Sequence, residues 1–167
     1  MAAVGPIQER QRGRQPERVE RRVFVKAPPR IVWGALHDPA NTPHLFPELR
    51  LGPAEPAWPA AATVRHGRAH LGLLRTPALA ESLEARPQTR FRMRVWGEAG
   101  FDSEWSWHLA PLAGGTRVVH VATFESTDRV AGWLLRLGRE SLASRVEAHL
   151  RDLKTRAESS VRGGTAG

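Results

Sequence analysis

The sequence contains no cysteine. This absence excludes disulfides, thiolate nucleophiles and thiolate metal sites, and it agrees with a reducing compartment. No apolar run approaches the ~20 residues needed to cross a bilayer, and the N-terminus lacks the hydrophobic core of a signal peptide. The sequence therefore predicts a cytoplasmic protein with no membrane insertion.

Lysine is almost absent as well, since Lys26 and Lys154 are the only two among 25 Lys and Arg residues. The formal net charge of +8 would suit a nucleic-acid ligand. However, the arginines are spread over alternating strand positions and the first 22 residues, rather than massed on one element with interleaved aromatics. Nucleic-acid binding is therefore not the favoured interpretation.

Motifs for phosphates, metals and cofactors are also missing. There is no Gly-rich phosphate loop and no Gly-x-Ser-x-Gly elbow. His66 and His70 are four residues apart in a strand pattern, which separates them by about 13 Å. The sequence thus predicts no metal site and no cofactor.

The chain of 167 residues is long enough for one domain with one core. Residues 1–18 read as a disordered basic arm, 19–158 as the folded domain and 159–167 as a disordered tail. Apolar and polar residues alternate from Val19, which predicts a first strand ending before Pro28. Two short helices should follow, one from Pro29 through His37 and one around residues 44–46.

Period-two alternation then predicts six more strands, at 49–55, 61–71, 78–85, 89–96, 101–109 and 116–125. Their connections are too short for crossover helices, so neighbouring strands should be antiparallel. A helical pattern runs from Asp128 to about Glu158. The expected fold class is α+β, with a seven-stranded antiparallel sheet curled around a long C-terminal helix.

Three phrases carry a resemblance to a known family. They are VKAPPRIVW at Val25–Trp33 with HDP at His37–Pro39, LAPLAGGTRV at Leu109–Val118, and LKTRAE at Leu153–Glu158. Because these phrases occur in this order and on these elements, the chain resembles START-like (SRPBCC) helix-grip proteins of the polyketide cyclase/dehydrase type. The resemblance implies an internal cavity for a hydrophobic small molecule, such as a lipid or a polyketide-like compound.

Strand parity predicts which side chains line that cavity, because alternate residues face the same side of a sheet. An apolar pocket of roughly 300 to 1,000 Å³ is typical of ligand sites. The predicted ligand-binding residues are Phe91, Met93, Val95, Trp105, Trp107, Val118, His120 and Phe124.

Three ionisable residues fall on otherwise apolar faces and are the candidate catalytic groups: His120, Glu81 and His149. Burial tunes such groups toward general acid or base chemistry. The stronger interpretation of each is a structural residue that reaches a backbone partner or the cavity rim.

The leading hypothesis is a non-catalytic binder or carrier of a hydrophobic small molecule. The first alternative is a polyketide cyclase/dehydratase-type enzyme that uses the same cavity. Cyclases of this fold often place tyrosine hydroxyls and an arginine in the cavity, and this chain has no tyrosine. The second alternative is a protein or RNA interaction module that uses the arginine-rich outer face.

Overall fold

Seven antiparallel strands form a single sheet that packs against two helices. The computed structural model describes residues 16–38, 40–41, 49–52, 58–71, 74–98, 100–126 and 139–164. The elements are β1 (Glu17–Val25), α1 (Pro29–His37), β2 (Leu49–Leu51), β3 (Val64–Leu71), β4 (Leu74–Arg86), β5 (Arg90–Gly97), β6 (Phe101–Leu112), β7 (Gly115–Ser126) and α2 (Arg139–Gly164). The strand order is β1-β7-β6-β5-β4-β3-β2, so only β1 pairs out of sequence.

The sheet curls so that both of its edges reach α2. On one edge, Lys154 of α2 donates a hydrogen bond to the Phe24 carbonyl of β1 at 2.7 Å. On the other edge, Leu49 of β2 and Ala69 of β3 line a cavity together with Val146 of α2. This arrangement confirms the predicted helix-grip fold.

Alternation along the strands separates a buried inner face from a polar outer face. On β5, Phe91, Met93 and Val95 are buried on the inner face, whereas Arg92 and Arg94 face outward. The outward arginines pair with carboxylates of the neighbouring strand, since Arg92 contacts Glu104 at 2.6 Å and Arg94 contacts Asp102. The outer face is therefore partly neutralised in this region.

The hairpin between β6 and β7 has the tight turn that its glycines predict. Leu112 pairs with Gly115, and Gly114 between them has a φ of 81°, which favours glycine. A Cβ on Gly115 would lie 2.1 Å from the Val25 carbonyl oxygen. Glycine at this position therefore lets β1 close against the end of β7.

The boundaries of several predicted elements need correction. Strand β1 begins at Glu17, within the predicted arm, because it pairs with Phe124 of β7. Helix α2 continues to Gly164, although residues 159–167 were predicted to be a disordered tail. Val161 extends the apolar stripe of Leu150, Leu153 and Ala157 onto the core, which explains the longer helix.

Other predictions fall on residues outside the described ranges. These are most of the basic arm, the second short helix around residues 44–46, and the beginning of the terminal helix at 128–138. Among the described helices, none is both long and apolar enough to span a membrane.

Candidate functional site

An apolar cavity of about 50 Å³ lies between the inner face of the sheet and the first half of α2. The sheet contributes residues from β2, β3, β5, β6 and β7, and one side of α2 contributes four residues. The lining comprises Leu49, Ala69, Val95, Phe101, Asp102, Ser103, Trp105, His120, Ala122, Phe124, Glu125, Leu142, Arg145, Val146 and His149.

The cavity has a charged mouth and a buried floor. Asp102, Glu125 and Arg145 are partly or fully exposed, and they mark the mouth where β6 begins, β7 ends and α2 begins. His120 is 0% exposed and His149 is 5% exposed, so these two imidazoles form the floor. A ligand that enters between the charges would therefore meet the histidines last.

His120 reaches this floor from β7, and its hydrogen bonding fixes its tautomer. Its Nδ1 lies 3.0 Å from the Ser106 carbonyl oxygen. A carbonyl oxygen can only accept, so Nδ1 carries the hydrogen and Nε2 presents a lone pair. Burial lowers the pKa of His120 to about 3, which the bond to Ser106 opposes and the nearby His149 reinforces. The ring is therefore neutral at physiological pH.

His149 approaches His120 from α2. The two ring centroids are 5.9 Å apart, and the His149 ring lies 5.5 Å from that of Trp105. The sequence predicted both histidines on buried faces, and the fold brings them together across the interface between the helix and the sheet.

Aromatic rings fill most of the interior beyond the floor. Trp107 stacks on His120 at 4.4 Å and on Phe91 at 5.6 Å, and Phe91 contacts His37 of α1 at 4.6 Å. Burial also lowers the pKa of His37, to about 4, against the opposing effect of its bond to the Trp33 carbonyl. These stacked rings leave far less space than the 300 to 1,000 Å³ expected from the sequence.

The eight predicted ligand-binding residues divide into two groups. Val95, Trp105, His120 and Phe124 line the cavity. Phe91, Met93, Trp107 and Val118 are buried on the same inner face but do not line it. The parity rule thus identified the inner face, but it could not separate cavity wall from packed core.

Glu81 lies on the wrong side of the sheet for a cavity residue, so this candidate is corrected. It is opposite Arg94, which points outward from β5. The inner face of β4 carries the small residues Ala78, Ala80 and Ser82. Leu79 and Leu83, which suggested an apolar inner face, are only half-buried on the outer one.

Sequence reasoning missed Arg65, which is 6% exposed and opposite Ala80 on the inner face. Its guanidinium donates a hydrogen bond to the Gly52 carbonyl and lies 5.3 Å from the ring centre of Trp58. Among the described carboxylates, none forms an ion pair with it, and burial lowers its pKa. The sequence did contain one signal for this inward position, because Arg65 has the same strand parity as Ala69 and Leu71 on β3.

Metal coordination finds no support in the described ranges. No three His, Asp or Glu side chains come together there as a potential metal site. His66 is exposed and Ala69 is buried, so His66 lies on the outer face of β3, away from the cavity.

Residues 16–158 match the family model described as polyketide cyclase/dehydrase and lipid transport. Since this match covers most of the chain, the protein belongs to that family. The resemblance drawn from the three sequence phrases is thereby confirmed. A search of curated protein sequences finds no match.

Solved structures support the same fold. TTHA0849 from Thermus thermophilus is 26% identical, with a TM-score of 0.67 over 86% of this chain and 98% of its own. The ZhuI aromatase/cyclase from Streptomyces sp. R1128 is 19% identical, with a TM-score of 0.69 over 90% of this chain and 98% of its own. Ara h 8.0201 is 13% identical, with a TM-score of 0.57 over 83% and 98%. The last two show similarity of fold alone.

Proposed function

We propose that this protein binds a hydrophobic small molecule in the cavity between the sheet and α2. The observation that carries the proposal is an apolar space that ends on two buried histidines and opens at a charged mouth. Apolar walls with a few placed polar groups are typical of small-molecule sites. The family description, which includes lipid transport, agrees with such a ligand.

The size of the cavity constrains how a ligand enters. An apolar cavity of about 150 Å³ can hold benzene, whereas the space here is about 50 Å³. A ligand larger than a few atoms must therefore displace side chains. Leu142 of α2 is a half-buried lining residue, so its side chain is one that a ligand could displace.

The chemistry of His120 favours binding over proton transfer. A general base works best with a pKa near the operating pH, and the pKa of His120 is about 3. Glu81 is on the outer face and cannot reach the cavity. Neither group is therefore tuned for base catalysis inside the protein.

An enzyme of the cyclase/dehydratase kind is the second candidate, and Arg65 is the observation that favours it. Arg65 is buried on the inner face but does not line the 50 Å³ cavity, and no described carboxylate pairs with it. If a substrate extends from the cavity along the inner face to Arg65, its guanidinium can polarise a carbonyl oxygen of that substrate. Turnover that is lost in Arg65→Met but retained in Arg68→Met, an exposed control on the same strand, would support this candidate over simple binding.

Native mass spectrometry of gently purified protein tests the proposed binding. We expect an apolar molecule to remain bound to the wild type and to be lost from Ala122→Leu, which fills the cavity. Ala80→Leu is the matched control, because Ala80 is 0% exposed on the inner face but does not line the cavity. Absence of any bound molecule, together with no uptake of added short alcohols or ethers, would contradict the proposal.

A further inference from the structure

One buried acceptor on the cavity floor lacks a hydrogen-bond partner among the described residues. His120 is 0% exposed, its Nδ1–H is used by the Ser106 carbonyl, and its Nε2 has no described atom to bond to. Most buried polar atoms in folded proteins are paired. The Nε2 atom is therefore a position that a hydrogen-bond donor of a ligand can satisfy.

The Nδ1 atom of His120 is held by the backbone of β6, which leaves Nε2 as the ring nitrogen available to a ligand. The His149 ring of α2 lies 5.9 Å from the His120 ring, and both rings line the cavity. Stacking against Trp107, with planes 8° apart, prevents the ring from turning freely.

A neutral imidazole nitrogen of this kind accepts a hydrogen bond and offers no donor. An alcohol or phenol O–H satisfies it, whereas an ether oxygen, a carbonyl oxygen or a carboxylate brings a second lone pair against it. The low pKa of His120 means that the ring does not protonate to accommodate such groups near neutral pH.

We propose that the cavity selects a neutral ligand with a hydroxyl group, which donates its hydrogen bond to His120 Nε2. The apolar part of the ligand then extends past Val146 and Phe124 toward the mouth. This inference rests on the proposed function and specifies the ligand class for the same cavity.

The test compares two isomers of equal size, 1-butanol and methyl propyl ether, of which only the alcohol donates a hydrogen bond. Both are small, so they require little displacement of the walls. Titrations of ¹⁵N-labelled full-length protein should show roughly tenfold tighter binding of 1-butanol, the value expected for one buried hydrogen bond. The ¹⁵N resonance of His120 Nε2 should shift with the alcohol and not with the ether.

His120→Phe retains an aromatic ring against Trp107 but removes the acceptor, so it should bind the two isomers equally. His37→Phe is the matched control, because His37 is a histidine outside the cavity lining, and it should keep the preference for the alcohol. If His120→Phe does not fold, the two wild-type titrations and the Nε2 resonance still decide the question.

Equal binding of the isomers by the wild type would overturn the hydroxyl inference and leave the binding function standing. An Nε2 resonance that is unchanged by bound alcohol would also overturn it, since a resident water would then be the partner. Binding of neither isomer would count against the proposed function itself.

Discussion

The imidazole of His120 lies flat on the indole of Trp107, with centroids 4.4 Å apart and planes 8° apart. The two residues are directly opposite in the β6–β7 ladder, so the stack spans neighbouring strands of the inner face. Both are almost completely buried. This contact therefore places a titratable ring inside the core, where protonation is unfavourable.

Stability should fall as the pH is lowered from neutral. In the folded state the pKa of His120 is about 3, below the ordinary value of 6.5 for a solvated histidine. Between these values the unfolded chain binds a proton that the folded protein does not, so acidification favours unfolding. Urea unfolding should show that His120→Phe reduces the slope of unfolding free energy by up to about 1.4 kcal/mol per pH unit between pH 6 and 5.

His66→Gln is the control for this measurement, because His66 is exposed on the outer face. This comparison separates the loss of a buried imidazole from the loss of any imidazole. His37, with a folded pKa of about 4, contributes in the same direction and is present in all these proteins. A slope that is identical in the wild type and in His120→Phe would show that His120 is accessible to protons in the folded state.

The sequence predicted the pairing of sheet and helix and the buried positions of His120 and His149, because long periodic patterns determine which faces are buried. It assigned Glu81 to the wrong face because both faces of β4 contain apolar residues. There the inner residues are the small Ala78 and Ala80, and both are buried. Strand parity alone could not show that the face with these two alanines, and not the face with Leu79 and Leu83, is the buried one.

The size of the cavity and the role of Arg65 depend on tertiary packing and could not be predicted. Space inside the sheet is set by how Phe91, Trp107 and His37 stack, and these contacts join α1, β5 and β6. The burial of Arg65 depends likewise on Trp58, which lies in an irregular segment before β3. A period-two pattern places Arg65 on the inner face, but it contains no information about the contact with Trp58 or about the size of the cavity.

Arg65→Met should raise the free energy of unfolding by about 1 kcal/mol in the absence of ligand. No described carboxylate pairs with this cation, and its burial costs more free energy than the bond to Gly52 and the contact with Trp58 return. Arg68→Met, on the exposed face of the same strand, should change stability by less than about 0.5 kcal/mol. Urea denaturation measures both, and a destabilised Arg65→Met would show that those two contacts outweigh desolvation.

Glu158 should contribute to stability by joining α2 to the end of β1. Its carboxylate accepts the Lys26 backbone N–H at 2.8 Å and pairs with Lys154 at 3.0 Å, and these bonds lower its pKa. Glu158→Ala should cost about 1 kcal/mol, whereas Glu158→Gln keeps an acceptor and should cost less. Glu147→Ala, which removes an exposed pair with Arg21, should cost at most about 0.5 kcal/mol. Equal losses in the two alanine variants, measured by thermal unfolding, would contradict a specific role for Glu158.

Ala122 and Ala80 are both almost fully buried alanines on the inner face, but only Ala122 lines the cavity. Ala122→Val adds two methyl groups where space exists, so stability should be unchanged or higher, and 1-butanol binding should weaken. Ala80→Val adds the same groups where the core is filled, and it should cost about 1–3 kcal/mol. Urea unfolding and butanol titration of the two variants measure these effects. Equal destabilisation would mean that the space beside Ala122 is not available to added atoms, and a ligand would then have to enter the protein elsewhere.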